Sequence, residues 1–242
     1  MSGFVDLHCH LLPALDDGPA TDALAVDLAR ALVADGVTTV AATPHRTATF
    51  ITPLDELIER RAALDRLLHE HGVELEVIHG AEVAVNALVD MDATELAALR
   101  LGGSGPLLVE FPRADAFGDP SWPVRELMDA GVPVLIAHPE RIALFQQDLA
   151  PLRDLVERGA HAQVTSGALI GRFGRTAQSS ALDMIDHGLV DVIASDAHHG
   201  ELRPPETSAA LAWLAEYRPN VDGAALAVHT PRVLIPPQAQ AS

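Results

Sequence analysis

The sequence predicts an α/β fold in which parallel strands alternate with helices and wrap toward a seven-stranded (β/α) barrel. Three observations carry that expectation. One phrase recurs five times, an amphipathic helix, a glycine and a short apolar strand: Asp35-Gly36-Val37, His71-Gly72-Val73, Ala130-Gly131-Val132, Arg158-Gly159-Ala160 and His187-Gly188-Leu189. Each reads as a glycine just past a helix end, feeding the next strand. Seven short apolar runs, at residues 4–10, 38–45, 76–83, 106–111, 132–138, 161–166 and 191–198, read as strands, and their alternation with helices implies right-handed crossovers and a parallel sheet. Six of the seven runs end in His, Asp or Glu, as in a parallel barrel whose chemistry collects at the C-terminal strand ends. An open doubly wound sheet fits the same alternation.

The first strand holds Asp6-Leu7-His8-Cys9-His10. His8 and His10 are two residues apart, so in an extended strand both imidazoles face one side and suit one cation. Asp6 shares that face by alternation and is placed as a supporting or core residue. Cys9 faces outward and packs. Leu24, Leu28 and Leu32 then mark the first helix, and Leu57, Leu64, Leu67 and Leu68 the second.

The second strand ends at His45 and the third carries Glu82. Glu110 closes the fourth, His138 the fifth, and Asp196 and His198 lie two apart on the last. Only the sixth, ending Val164-Thr165-Ser166-Gly167, offers no ligand. Beyond Leu202-Arg203-Pro204-Pro205 come a helix over 207–217, an apolar segment through Val228 and a polar tail, 236–242, expected to be disordered. Residues 1–235 thus read as one domain. His69, His71, His161, His187 and His229 read as surface or packing residues; His79 and His199 lie close to proposed ligands and stay open.

Composition bounds the function. The chain has 242 residues, 48% of them apolar, enough to bury a sizeable core. Its net charge of −18, from 34 acidic against 16 basic residues, argues against nucleic acid and anionic membrane as partners. No apolar run reaches the roughly 18 residues of a membrane span, no signal peptide is evident at the N-terminus, and one cysteine builds no internal disulfide. A cytoplasmic protein is expected. Every basic residue is arginine, which excludes lysine Schiff bases, P-loop lysines and carbamylated-lysine metal bridges. A cysteine-phosphatase loop needs arginine six positions after its nucleophile, and six after Cys9 stands Leu15.

The ordered strand ends resemble the polymerase and histidinol phosphatase (PHP) superfamily over nearly the whole chain. The similarity is closest to the metal-dependent protein-tyrosine phosphatases of bacterial capsule and exopolysaccharide operons. It rests on Asp6–His10 with the Asp16-Asp17-Gly18-Pro19 turn, His45-Arg46, Gly80-Ala81-Glu82, Ala137-His138-Pro139-Glu140-Arg141, and Ser195-Asp196-Ala197-His198 leading to Arg203-Pro204-Pro205. His199 and Thr230-Pro231-Arg232 depart from the relatives' usual residues. The resemblance implies a distorted seven-stranded barrel around up to three divalent metal ions, Mn²⁺ first, with Zn²⁺ or Fe²⁺ as alternatives. Its implied ligands are His8, His10, Asp17, His45, Glu82, Glu110, His138, Asp196 and His198; chemically, Asp16 is an equal candidate to Asp17.

Five neutral imidazoles and four carboxylates around three divalent ions leave a pocket near +2, about right for a phosphate. The expected reaction is phosphomonoester hydrolysis by a metal-bridging hydroxide, with Arg141, and also Arg46 or Arg203, holding the phosphate oxygens. Tyrosinate, with a pKa of about 10, leaves more readily than a serine alkoxide, so an aryl phosphate is favoured. The expected partner is a phosphotyrosine protein, a bacterial tyrosine kinase of polysaccharide export. The alternatives are a small-molecule phosphatase such as histidinol-phosphate phosphatase, and a degenerate barrel that only binds.

Overall fold

Two residues that interrupt a regular ladder set the shape of the sheet. Pro44 has no N–H to donate, and Gly80 is a weak strand former. At these points the second and third expected strands each break in two. The computed structural model, which describes residues 3–113 and 119–235, accordingly contains nine short strands: β1 (Phe4–Cys9), β2 (Val37–Ala42), β3 (His45–Arg46), β4 (Glu76–His79), β5 (Glu82–Ala84), β6 (Leu107–Glu110), β7 (Val134–Ala137), β8 (His161–Thr165) and β9 (Val192–Ala194). The tail at 236–242 lies outside the described residues.

All paired strands are parallel. They form a three-stranded sheet, β1-β2-β4, and a six-stranded sheet, β3-β5-β6-β7-β8-β9. This corrects the expected closed seven-stranded ladder: among the described residues no single sheet closes. The halves of each broken strand serve different sheets, since β2 pairs with β4 while β3 pairs with β5. Along the seam between β1 and β9 the contact reduces to an isolated bridge between Cys9 and Ala197. Two backbone bonds support it, Asp196 N–H to His8 O at 2.8 Å and His10 N–H to Ala197 O at 2.9 Å.

The helices follow their sequence signals. Thr21 accepts a hydrogen bond from Leu24 N–H at the start of Asp22–Asp35, which buries Ala25, Leu28 and Leu32. The five predicted helix-ending glycines all adopt positive φ, from 64° at Gly72 to 104° at Gly159. The expected helix is Thr207–Tyr217, and Asp35 accepts from Thr207 N–H at 2.7 Å at its start. The apolar segment after it is helical, a π-turn over Ala225–His229 followed by Thr230–Leu234.

An apolar layer lies within the wrapped strands: Val5 and Leu7 of β1, Ala41 of β2, Leu108 of β6, Leu135 of β7, Val192 and Ala194. Each fully buried leucine there contributes about 1.5–3 kcal/mol. Two residues further along β6 the same face brings Glu110, and Asp196 follows just past the end of β9. In β1 the register slips between Asp6 and Cys9. That bulge lets Leu7 join the inner layer while Cys9 joins the outer cluster with Ala25, Leu28 and Leu32. His8 and His10 consequently face inward beside an inward Leu7, which strict alternation forbids. No helix among the described residues is long and apolar enough to cross a membrane.

Candidate metal centre

The strand ends deliver their side chains to one place. His8, His10, Glu82, His138 and Asp196 are at most 1% exposed, and burying so many ionisable groups together requires mutual pairing or a cation. Four overlapping groups have ligand-type atoms within 4.8 Å of one another: His10, Asp17, His45 and His198; His8, His10 and Glu82; His8, His138 and Asp196; and His45, Glu82 and Glu110. All nine residues named from the sequence are in these groups, and no other described residue is.

Glu82 is the hub. Its Oε2 faces His45 Nδ1 at 2.9 Å, His10 Nε2 at 3.3 Å and His8 Nε2 at 3.4 Å, while Oε1 lies 2.8 Å from His138 Nε2. Asp196 Oδ1 lies 3.4 Å from His8 Nε2 and 3.5 Å from His10 Nε2. Asp17 Oδ1 lies 3.2 Å from His198 Nε2 and 3.4 Å from His45 Nε2. Glu110 stands at the rim, 3.7 Å from His138 and 3.9 Å from His45.

Several of these atoms lack any hydrogen bond of acceptable geometry: His8 Nε2, His10 Nε2, His45 Nδ1 and Glu82 Oε2. Buried orphans cost about 1–3 kcal/mol each, so four converging ones make this the candidate position for a cation. The donor set, imidazole and carboxylate without thiolate, fits Zn²⁺, Mn²⁺ or Fe²⁺.

The opposite ring nitrogens explain the aim. His8 Nδ1 lies 3.0 Å from Gln163 Oε1, His10 Nδ1 lies 2.7 Å from Asp16 Oδ2, and His198 Nδ1 lies 3.0 Å from the Asp196 carbonyl. Each contact keeps the proton on Nδ1 and turns the Nε2 lone pair inward. Asp16 also accepts from Gly18 N–H at 2.9 Å and His45 N–H at 2.9 Å, so the two turn aspartates divide the work: Asp16 orients, and Asp17 faces the cluster. Gly18 is required, because a Cβ there meets the His10 carbonyl oxygen at 2.6 Å.

Electrostatics follow the geometry. Burial alone would lower the pKa of His45, but hydrogen bonds to Asp17 and Glu82 and the Glu82 charge push it up to about 9. Burial opposes ionisation of Glu82 too, yet the charge on His8 and bonds from His10, His138 and His45 hold it well below the carboxylate range. Burial raises Asp6 to about 6 against bonds from Ser195 and His8. Asp6 does not join the cluster; its Oδ1 accepts Ser195 N–H at 3.0 Å and His8 N–H at 3.2 Å, which pins the bulge. His138 and Asp196 are non-glycine residues at φ 33° and 51°, strain of about 1–3 kcal/mol each that clusters at functional positions.

The three arginines named from the sequence separate. Arg141 donates to Asp196 Oδ2 at 2.5 Å, and Arg203 donates to the same oxygen and to His198 Nε2, the latter at 3.1 Å. Arg46 pairs instead with Glu95; it follows His45 in β3, and alternation sends it to the other face.

Gln163 and Arg113 were not singled out in the sequence. Gln163 lies inside the one strand without a ligand end, where an isolated glutamine carries no signal. Arg113 is three residues beyond Glu110, with Nε 3.9 Å from its Oε1, and that spacing was its only mark. Of the open histidines, His79 bonds Arg61 at 2.7 Å, and His199 accepts from Glu201 and Leu202 N–H to fold the turn before Arg203. His71 and His187 contact helix carbonyls, at 2.9 and 2.7 Å, while His161 pairs with Asp191. A mostly apolar cavity of about 380 Å³ under helix Leu54–Glu70, lined by Leu12, Leu57 and Leu99, touches none of the nine.

Comparison with known proteins bears on the family and the fold. The family model described as "Capsular polysaccharide synthesis, CpsB/CapC" matches residues 4–235. The tyrosine-protein phosphatase YwqE of Bacillus subtilis is 34% identical over 209 residues, 86% of this chain and 82% of its own. The tyrosine-protein phosphatase CpsB of Streptococcus pneumoniae is 26% identical over 239 residues, 96% of this chain and 98% of its own. A solved structure from work on YwqE and CpsB as metal-dependent tyrosine phosphatases superposes with a TM-score of 0.86 at 30% identity, covering 96% of this chain and 94% of that one. The phosphotriesterase homology protein of Escherichia coli shares the fold alone, with a TM-score of 0.64 at 13% identity over 97% of this chain and 99% of that one.

Proposed function

The chain belongs to the CpsB/CapC capsular polysaccharide synthesis family, and on that premise we propose that it is a metal-dependent protein-tyrosine phosphatase. The observation that carries this reading is the convergence of three imidazole nitrogens on Glu82 Oε2 beside the Arg141 and Arg203 guanidiniums.

His8, His10, Asp17, His45, Glu82, Glu110, His138, Asp196 and His198 would hold up to three divalent ions, Mn²⁺ foremost. When bound, such ions acidify water to a nucleophile near neutral pH and neutralise phosphoryl oxygens. The protein's own part is positional. Gln163 and Asp16 fix the tautomers of His8 and His10. Arg141 and Arg203, which share Asp196 Oδ2, would exchange one of their bonds for a phosphate oxygen, and a guanidinium offers the planar fork that oxygen pairs favour. No lysine competes for that role. A weak or absent general acid for the leaving oxygen would favour a phenoxide over an alkoxide.

The natural substrate in this reading is a phosphotyrosine on a bacterial kinase of polysaccharide export. The tyrosine phosphatase activity for which YwqE and CpsB are named and the capsule family description support it. The fold fits an incomplete seven-stranded barrel, with only the isolated Cys9–Ala197 bridge joining its first and last strands among the described residues.

The test is phosphate release from a phosphotyrosine peptide by metal-stripped protein, before and after Mn²⁺ or Zn²⁺ is restored, with histidinol phosphate alongside. Metal-dependent turnover of the peptide, lost in Arg141→Ala, is the expected result. Turnover of histidinol phosphate alone would move the protein to small-molecule metabolism, and no turnover with any metal would end the proposal.

A further inference from the structure

The one strand end without a metal-type ligand is occupied in another way. β8 runs into Ser166 and Gly167, and a Cβ at Gly167 would meet Phe173 Cε2 at 3.2 Å. The glycine therefore seats the Phe173 ring. Phe173 immediately precedes helix Gly174–Asp186, and its neighbour Arg172 makes a two-point ion pair with Glu206, three residues beyond Arg203. That pair ties the ring to the segment carrying Arg203.

On this ring rest two cations. The Arg141 guanidinium carbon is 4.3 Å from the Phe173 centroid and the Arg203 carbon is 5.7 Å away. Both guanidiniums also donate to the single Asp196 Oδ2. Two like charges so close repel, and one carboxylate oxygen offsets only part of that cost. The negative face of an aromatic ring attracts each cation within about 6 Å.

We propose that Phe173 is a positioning residue for phosphate: its ring holds Arg141 and Arg203 together, with their forks open toward the metal centre. The inference rests on the reading that this site takes a phosphate. An aliphatic side chain would pack against Gly167 equally well but would not counter the repulsion, so the arginines would splay and grip phosphate less well. The reacting atoms would be untouched.

The experiment compares Phe173→Leu and Phe173→Met with Phe173→Tyr and Phe173→Trp in Mn²⁺-loaded protein. Calorimetry reads the Kd of inorganic phosphate, steady-state kinetics read KM and kcat for a phosphotyrosine peptide, and metal analysis and thermal melts are run on every variant. Both ring-less variants should raise the phosphate Kd and the peptide KM in step, roughly three- to tenfold. kcat should stay within about twofold, with bound metal unchanged and Tyr or Trp restoring wild-type values. Methionine keeps a flexible apolar body, so it serves if the leucine variant does not fold. An unaltered phosphate Kd in the ring-less variants, or an equal loss in Phe173→Tyr, would overturn the proposal. The phosphate arm is independent of which ester is hydrolysed, so failed peptide turnover by the wild type would sink the tyrosine-phosphatase reading without deciding this one.

Discussion

Gln163 Oε1 lies 3.0 Å from His8 Nδ1, with both side chains fully buried. A neutral amide holds the first histidine of the centre, while a carboxylate, Asp16, holds the second. Partners behind a metal-binding histidine are worth about 10- to 100-fold in metal affinity. Gln163→Leu should weaken Mn²⁺ binding by that order, measured by competition with a fluorescent chelator. Unchanged affinity would reduce Gln163 to a packing residue.

Asp16 and Asp17 should separate by readout. Asp16→Ala orphans the Gly18 and His45 amides as well as His10 Nδ1, at about 1–3 kcal/mol for each group that water cannot reach. Denaturant unfolding of metal-free protein should show a clear loss for Asp16→Ala. Asp17, with 56% of its side chain exposed, should be nearly silent there and instead lower the number of ions bound. The reverse pattern would exchange their roles.

Arg46 was named alongside Arg141, and the structure gives them different partners. Arg46→Ala should leave kcat/KM within about threefold and cost at most about 1 kcal/mol, as expected of a partly exposed pair with Glu95. Arg141→Ala should lower kcat/KM by about a hundredfold or more, the usual loss for a group that stabilises developing charge. Equal losses in the two variants would mean that Arg46 reaches substrate.

Far from the centre, His161 has its pKa raised by its hydrogen bond to Asp191. A histidine whose folded pKa exceeds its unfolded value of about 6.5 stabilises fully below that pH, and the contribution is lost as pH rises through the folded pKa. His161→Gln should therefore destabilise slightly in mild acid and not at alkaline pH. With a third of each side chain exposed, the effect should be roughly 0.5 kcal/mol or less. A deficit that grew with pH would contradict this assignment.

Metal removal should lower the melting temperature, because ions that bind only the folded chain stabilise it by mass action, about 2.7 kcal/mol at a hundred times Kd. Glu82→Gln should blunt that shift, since it removes the charge that four imidazoles face. A chelator-insensitive melt of the wild type would argue against a resident metal.

Chain-local chemistry was enough to name eight of the nine clustered residues. Strand ends, the His-x-His and Asp-x-His spacings and the helix-ending glycines depend on neighbours a few residues away, so they can be read along the sequence. The resemblance added Asp17, whose place in a turn gives it no strand-end signal. Other features depend on contacts between distant segments. The bulge between Asp6 and Cys9 overrides alternation because Asp6 bonds Ser195 across the seam. The breaks at Pro44 and Gly80 divide the strands between two sheets only because each half finds its own partner. Gln163, Arg113 and Phe173 matter through what they touch, namely His8, Glu110 and two arginines. The sequence by itself determined the ligand chemistry and the α/β alternation; tertiary structure decided which residues aim those ligands and which hold the guanidiniums, because orientation comes from contacts that sequence distance does not encode.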